Sequence, residues 1–382
     1  MFDNKKIAIV YDWLDKWGGV ERVLLTMHDI FPRAEFFTSY YNPQTAPWAK
    51  HLNIRTSFIQ GLPPFIRKNR LLSLPLYPYA FESFNFNGYD LVVSITSSFA
   101  KAVITRPETV HVSYLLTPTR FLWSHADTYN NNPLLKGLTE PYMKRLREWD
   151  YIASRRPDHI ISISQTVAER CRKYYERESS VIYPPFDIDY WKNIKLKIKN
   201  EKLKTKYNLQ KYFLVVSRLE KYKRVDLVIN TFNKLQDKTL VVVGKGSEEK
   251  YLKSISSDNI TFLQDITDED LANFYINAEA LIMPQEEDFG YVSLEAQFYG
   301  CPVLSYEKGG AVETVLQDKT GVFFTEQTTQ SLLEILERFD LISYNLKTST
   351  KKEGPKNVKR FAKDTFKEDL LTFLGNFISS KI

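Results

Sequence analysis

Two glutamates, Glu287 and Glu295, stand eight positions apart in QEEDFGYVSLEAQFYGCPVL, with Phe289-Gly290 between them. The run before them, EALIMP, is apolar and reads as a buried strand; YVSLEAQFYG after it reads as a short helix closing at Gly300. Glu287 therefore belongs on a strand-to-helix loop, and Glu295 about one turn into the helix. A helix N-terminus gathers backbone N–H groups without helical partners and favours phosphate or another anion. Carboxylates repel phosphate but accept hydrogen bonds from hydroxyl groups. An anion and a polyol held by one loop is the chemistry of a sugar nucleotide. A salt-bridged helix start is the plainer account of either acid taken singly.

A second cluster lies in VVSRLEKYKRVDLVI, Val215 to Ile229. A strand ends near Ser217, and Arg218 and Lys223 follow at its carboxyl end, where doubly wound sheets bind ligands. Arginine offers a planar fork and lysine a mobile point charge, so together they neutralise a diphosphate. Cations at a helix start are locally unfavourable, which points to an anionic ligand. In the first half, Gly18-Gly19-Val20-Glu21-Arg22 follows the first strand and opens a helix. Paired glycines let a backbone approach a ligand, although a simple turn would also use them. Asp12 and Trp13 precede that turn and are placed to contact an acceptor; a buried capping aspartate explains Asp12 equally well. Gly244-Lys245-Gly246, after the strand TLVVV, is expected near a nucleotide or as a strand-end turn.

Taken with GGAVETV (Gly309 to Val315) and TGVFF (Thr320 to Phe324), these segments resemble the retaining glycosyltransferases of family 4. The resemblance covers nearly the whole chain and implies the GT-B fold, two Rossmann-like α/β domains with parallel sheets facing across a cleft. It implies that Glu287 faces the donor sugar, Glu295 holds the ribose hydroxyls, and Arg218 and Lys223 bind the donor diphosphate. Gly18 and Gly19, Phe289, Gly290, Tyr291 and Val292, and Gly244 and Gly246 fall in the implied donor-binding set. The segment YLLTPTRFLW (Tyr114 to Trp123), with SISQTVAERCRKYY and VIYPPFD, resembles a bacterial surface-polysaccharide branch of O-antigen type, with many mannosyltransferases. Relatives usually have histidine just before the TP pair, and here that position is Leu116. Leucine cannot bond a sugar hydroxyl, which weakens the donor assignment and leaves Thr117 and Arg120 to supply the polar contact.

The implied reaction moves a hexose from a nucleoside diphosphate sugar, GDP-mannose before a UDP-hexose, to a hydroxyl of a lipid-linked or oligosaccharide acceptor. Retention at the anomeric carbon, no cofactor and no divalent metal are further implications. A nucleotide-sugar epimerase of similar architecture would need other acid and base groups. A nicotinamide-dependent dehydrogenase would need GxGxxG where GGVERV stands. A non-catalytic sugar-nucleotide-binding protein is a further alternative.

The elements that must carry these residues are legible as apolar runs. They are KIAIVYD, AEFFTSY, IRTSFI, YDLVVSIT, HVSYLL and HIISIS in the first half, and YFLVVSRL, TLVVVGKG, NITFLQDI, ALIMP, PVLSY and GVFF in the second. Continuous apolar strands alternating with helical stretches indicate parallel sheets buried on both faces. A chain of 382 residues exceeds what one core usually fills. The expected division is 1–183, 184–357 and a final helix, 358–382, returning to the first domain, with Tyr183-Pro184-Pro185 as the break.

Only Cys171 and Cys301 are present, which argues against a disulfide framework and for a reducing, cytoplasmic setting. The N-terminal apolar run is too short for a signal peptide or span. The net charge of +6 is concentrated in the lysines at 192, 195, 197, 199, 202, 204 and 206, read as a solvated connection, and in Arg67-Lys68-Asn69-Arg70. That second cluster runs into LLSLPLYPYAF and suits either an anionic membrane surface or inward packing of its apolar residues. No nucleic-acid motif accompanies the charge.

Overall fold

The computed structural model describes residues 2, 4–124, 133–197 and 211–378. It contains two compact units, residues 1–185 with 366–382 and residues 186–365. The sequence expectation put the breaks slightly earlier, after Tyr183 and Asn357. Both units are three-layered α/β structures with entirely parallel pairing.

Unit 1 holds β1 (Ile7–Tyr11), β2 (Glu35–Thr38), β3 (Asn53–Thr56), β4 (Leu91–Thr96), β5 (Val110–Leu115), β6 (His159–Ser162) and β7 (Ser180–Val181), in the order β3-β2-β1-β4-β5-β6-β7. Its helices are α1 (Val20–Ile30), α2 (Pro64–Arg67), α3 (Arg70–Ser73), α4 (Tyr77–Glu82), α5 (Pro133–Ala153) and α6 (Gln165–Tyr175). Strands β1, β4 and β5, rich in Val, Ile and Leu, are buried throughout, whereas the edge strand β3 alternates between exposed and half-buried residues. One core cluster joins Val10, Phe37, Phe81, Val92 and Phe99.

Unit 2 holds β8 (Tyr212–Val216), β9 (Thr239–Val243), β10 (Ile260–Leu263), β11 (Leu281–Met283), β12 (Val303–Tyr306) and β13 (Gly321–Phe324), in the order β10-β9-β8-β11-β12-β13. With them go α7 (Ile188–Lys197), α8 (Val225–Phe232), α9 (Glu249–Ser254), α10 (Asp268–Asn277), α11 (Tyr291–Phe298), α12 (Ala311–Thr314) and α13 (Thr329–Val358). The last helix, α14 (Lys363–Ile378), starts in unit 2, and its residues from Phe366 belong to unit 1, where Phe377 stacks on His159 at 3.6 Å. Of the lysine-rich run, Lys192, Lys195 and Lys197 lie on α7; the remaining four lie outside the described residues.

Each sheet reverses its direction of growth once. In unit 1 the reversal falls between β1 and β4, and in unit 2 between β8 and β11. At such a point the loops leaving two neighbouring strands diverge, one over each face, and open a crevice at their carboxyl ends.

Candidate active site

The loops that leave β8 and β11 carry the residues singled out by their chemistry. After β8 the chain passes through Ser217 and Arg218 to a 3₁₀ turn, Lys221–Lys223, before α8. After β11 it runs from Pro284 through Glu287 to Gly290 and into α11. Lys223 is buried, and its Nζ donates to Oε1 of Glu287, bridging the reversal point. Gln285 Nε2 donates to the same oxygen at 2.8 Å. A lone buried ion costs several kcal/mol of solvation, so the two charges are held together. Arg218 is exposed, and its Nη2 donates to the Tyr222 hydroxyl at 2.6 Å. The site therefore presents the solvent-facing Arg218 beside an internal cation–carboxylate pair.

Phe289-Gly290-Tyr291 forms the entry to α11. Gly290 is the N-cap in a left-handed conformation (φ 91°), and no side chain caps the helix. The helix thus begins without a side-chain acceptor, an end suited to an anion. Phe289 is buried against Tyr291 and Phe361, while Tyr291 and Val292 are half-buried. Glu295 sits on the buried side of α11, where its Oε2 accepts from the Tyr275 hydroxyl on α10 at 3.0 Å.

The GGAVETV segment supports this loop from behind. Gly310 N donates to Glu287 O at 2.7 Å, and Gly309 bridges Glu287 with φ 75°. A Cβ on Gly309 would lie 2.4 Å from Glu287 O, and one on Gly310 2.4 Å from Phe289 Cα, both far inside contact distance. Only glycine admits this approach. Gly244 has the same relation to the β8 loop: its Cβ would lie 1.8 Å from Ser217 O, and Leu219 N donates to Lys245 O at 2.8 Å.

In unit 1, Asp12 ends β1 fully buried. Its Oδ1 accepts from Thr96 Oγ1 and from the amides of Phe99 and Ala100, and its Oδ2 from the Ser97 amide, all at 2.8–2.9 Å. Burial pushes its pKa up and these bonds pull against that shift. This is the capping account of Asp12; any effect on an acceptor would pass through the β4 loop it holds. Gly18 and Gly19 are exposed on the turn into α1.

Thr117 and Arg120 follow β5 on a loop held by Asp150 of α5. The Asp150 carboxylate accepts from Lys101 Nζ (2.6 Å), Thr119 Oγ1 (2.8 Å), Trp123 Nε1 (2.8 Å) and the Tyr175 hydroxyl (2.9 Å). Thr117 Oγ1 is buried without a hydrogen-bond partner among the described residues. The sequence expectations therefore divide. Arg218, Lys223, Glu287, the α11 entry, Glu295, Gly244 and Gly246 belong to unit 2, whereas Asp12, Gly18, Gly19, Thr117 and Arg120 belong to unit 1.

Sequence reasoning missed Gln285, Tyr222 and Tyr275. The first two sit inside the segments already singled out; Tyr275 offers no local signal. Two D-x-D triplets, Asp187-Ile188-Asp189 and Asp268-Glu269-Asp270, occur at the starts of α7 and α10, where acids complement the helix dipole. Among the described residues no group of three or more potential His, Cys, Asp or Glu metal ligands is present, and no helix is long and apolar enough to cross a membrane.

In the Arg67–Phe81 segment Tyr77 and Phe81 pack inward, whereas Leu71 (80% exposed), Leu72 and Tyr79 face solvent. Lys68 is exposed beside them.

Two parallel doubly wound sheets in one chain are the architecture of the GT-B class. The chain is built from that class's domains: the Glycosyltransferase Family 4 model matches residues 17–190 and the Glycosyl transferases group 1 model residues 197–357. The chain spans about half the length of the curated relatives it matches. The capsular polysaccharide biosynthesis glycosyltransferase CapM of Staphylococcus aureus is 26% identical over 200 residues, covering 48% of this chain and 52% of that protein. A GDP-mannose-dependent alpha-(1-6)-phosphatidylinositol monomannoside mannosyltransferase of Mycolicibacterium smegmatis is 32% identical over 139 residues, covering 31% and 36%. Among solved structures, Anabaena Alr3699/HepE in complex with UDP superposes with a TM-score of 0.71 at 18% identity, over 97% of this chain and 100% of that one.

Proposed function

We propose that this protein is a retaining hexosyltransferase that moves mannose from GDP-mannose to a hydroxyl acceptor in polysaccharide or glycolipid assembly, without a metal. The observation that carries the reading is the Lys223–Glu287 pair set across the β8/β11 reversal beside the exposed Arg218. A nucleoside diphosphate sugar has what each partner would exchange for the other: phosphate oxygens for the lysine and hydroxyl donors for the glutamate. Donor binding would thus replace one internal ion pair with two ligand contacts, at little net cost in buried charge.

In the reaction the bond between the anomeric carbon and the diphosphate oxygen breaks as the acceptor oxygen approaches on the same face. The acceptor proton passes to the leaving phosphate oxygen. Arg218, Lys223 and the uncapped amides of α11 would stabilise the charge growing on the diphosphate. Glu287 would orient the hexose through its hydroxyls, Glu295 would reach the ribose, and Gly18, Gly19, Thr117 and Arg120 would complete the donor site. Mannose is favoured by the polysaccharide-branch resemblance and the mycobacterial relative; UDP-glucose comes second because of Leu116 and the UDP-bound Anabaena protein. The acceptor would be an oligosaccharide or lipid-linked glycan, approached by peripheral contact of the Leu71–Leu72 surface with an anionic membrane from the cytoplasmic side.

Calorimetric titration with GDP-mannose, UDP-glucose and UDP-N-acetylglucosamine in EDTA tests this directly. Tight binding of GDP-mannose, and its turnover without metal, are expected. Failure of all three donors to bind would sink the reading.

A further inference from the structure

The last turn of α13 packs behind the entry to α11. Asn357 is 3% exposed, and both polar atoms of its side chain are engaged. Its Nδ2 donates to Gln297 Oε1 at 2.8 Å and to Thr314 O at 2.7 Å, and its Oδ1 accepts from Arg360 Nη1 at 2.9 Å. Gln297 is on α11, and its Nε2 donates to Ser293 O at 3.0 Å and to Thr314 O at 2.9 Å. Thr314 closes α12, and its Oγ1 lies 2.7 Å from Ser293 Oγ, which is 2.8 Å from Gly290 O. One buried amide therefore ties α11 to α12. The first of these helices begins at Gly290, and the second follows Gly310, whose amide holds Glu287 O.

Two further contacts come from the same stretch of chain. A Cβ on Gly354 would stand 2.2 Å from Gln297 O, so α13 and α11 meet backbone to backbone. Just past α13, Phe361 is 1% exposed, and its ring centroid lies 5.5 Å from that of Phe289. Both sides of Gly290 are thus held from behind, Phe289 by Phe361 and α11 by Asn357. Apolar packing alone lets a helix slide, whereas a fully bonded buried amide fixes direction as well as distance. We propose that Asn357 and Phe361 are positioning residues for the donor. Buried themselves, they fix the α11 entry, where the glycosyltransferase reading puts the diphosphate, and act on it through Gln297 and Phe289. Displacing a binding group by about 1 Å can cost about 10²-fold, so the entry has little latitude.

The inference rests on that reading, and the test separates the two. Calorimetry on the full chain would use GDP, UDP, GDP-mannose and UDP-glucose, with chemical denaturation followed in parallel. Unfolded molecules lower the stoichiometry and leave the Kd unchanged, so the Kd reports positioning apart from stability. Asn357→Asp keeps the side chain's size but turns a carboxylate oxygen toward Gln297 Oε1 and Thr314 O. It should weaken whichever nucleotide the wild type binds by about tenfold, and Phe361→Leu by about threefold. Phe339→Leu, in the core earlier on the same helix, should lower stability with the Kd kept. Where Asn357→Asp does not fold, Phe361→Leu carries the test alone. A wild-type Kd in the folded variants, or an equal loss in Phe339→Leu, would overturn the inference. Failure of the wild type to bind any of the four nucleotides would instead overturn the reading beneath it.

Discussion

Where its strand order reverses, unit 1 holds Asp12 and unit 2 holds Glu287, each bonded across the gap between the two diverging loops. Asp12 meets one hydroxyl and three backbone amides, groups that cannot leave without unfolding the β4 loop. Glu287 meets the ends of two side chains, Lys223 and Gln285, which can turn toward another partner by rotating about their own bonds. The difference teaches that acids at equivalent places in similar sheets can be held by different kinds of donor. Burial alone does not separate them; one is fixed by backbone amides and the other by side-chain ends.

The comparison breaks most sharply at Glu287. Glu287→Gln should lower turnover by about 10²–10³, in line with the loss of one preorganised polar contact, while donor affinity stays near that of wild type. Turnover equal to wild type would place Glu287 with Asp12 among structural acids. The converse experiment is Asp12→Asn, which turns an amide NH₂ toward one of the donors Asp12 now accepts. It should cost about 1–3 kcal/mol in chemical denaturation and leave donor binding intact. A stability equal to wild type would remove the contrast.

Glu21 sharpens the comparison by pH. It is an acid whose folded-state pKa is raised from 4.5 to about 7 by burial. Its contribution to stability is therefore present below the unfolded value and lost as pH rises through about 7. Tyr11, Asp15 and Lys16 share its surroundings and bear on its charge. Glu21→Gln should flatten the stability profile between roughly pH 4.5 and 7, by at most a few kcal/mol. An unchanged slope would show that Glu21 is not buried as an acid. The smallest effect on the fold is expected from Leu71→Ser with Leu72→Ser: stability within about 0.5 kcal/mol of wild type, but weaker flotation with anionic liposomes. Unchanged flotation would leave the exposed leucines without a membrane role.

Much of this was legible beforehand. Continuous apolar strands such as LVVSIT and TLVVV can only be buried on both faces, so composition alone indicates parallel sheets. The two-residue β7 is too short to leave a pattern. Arg218, Lys223 and Glu287 were readable because strand ends and motif spacing locate them. Their pairing was not, since residues 64 positions apart meet only through the strand order. The occupation of Asp12 depends on a loop more than 80 residues downstream, and that of Glu295 on Tyr275, a residue with no local mark. In the Arg67–Phe81 segment, Leu71 and Tyr77 are equally apolar, and only tertiary packing sends one outward and the other inward.

The close seating of Gly309 and Gly310 on the backbone of Glu287 to Phe289 bears on how such proteins can be recombined. Two stretches of chain separated by a helix and a strand fit each other to within the width of a missing methyl group. A graft that imports a foreign 285–290 loop to change sugar preference would meet a floor shaped for the native one. The two stretches should therefore be exchanged together, as one heritable unit of specificity.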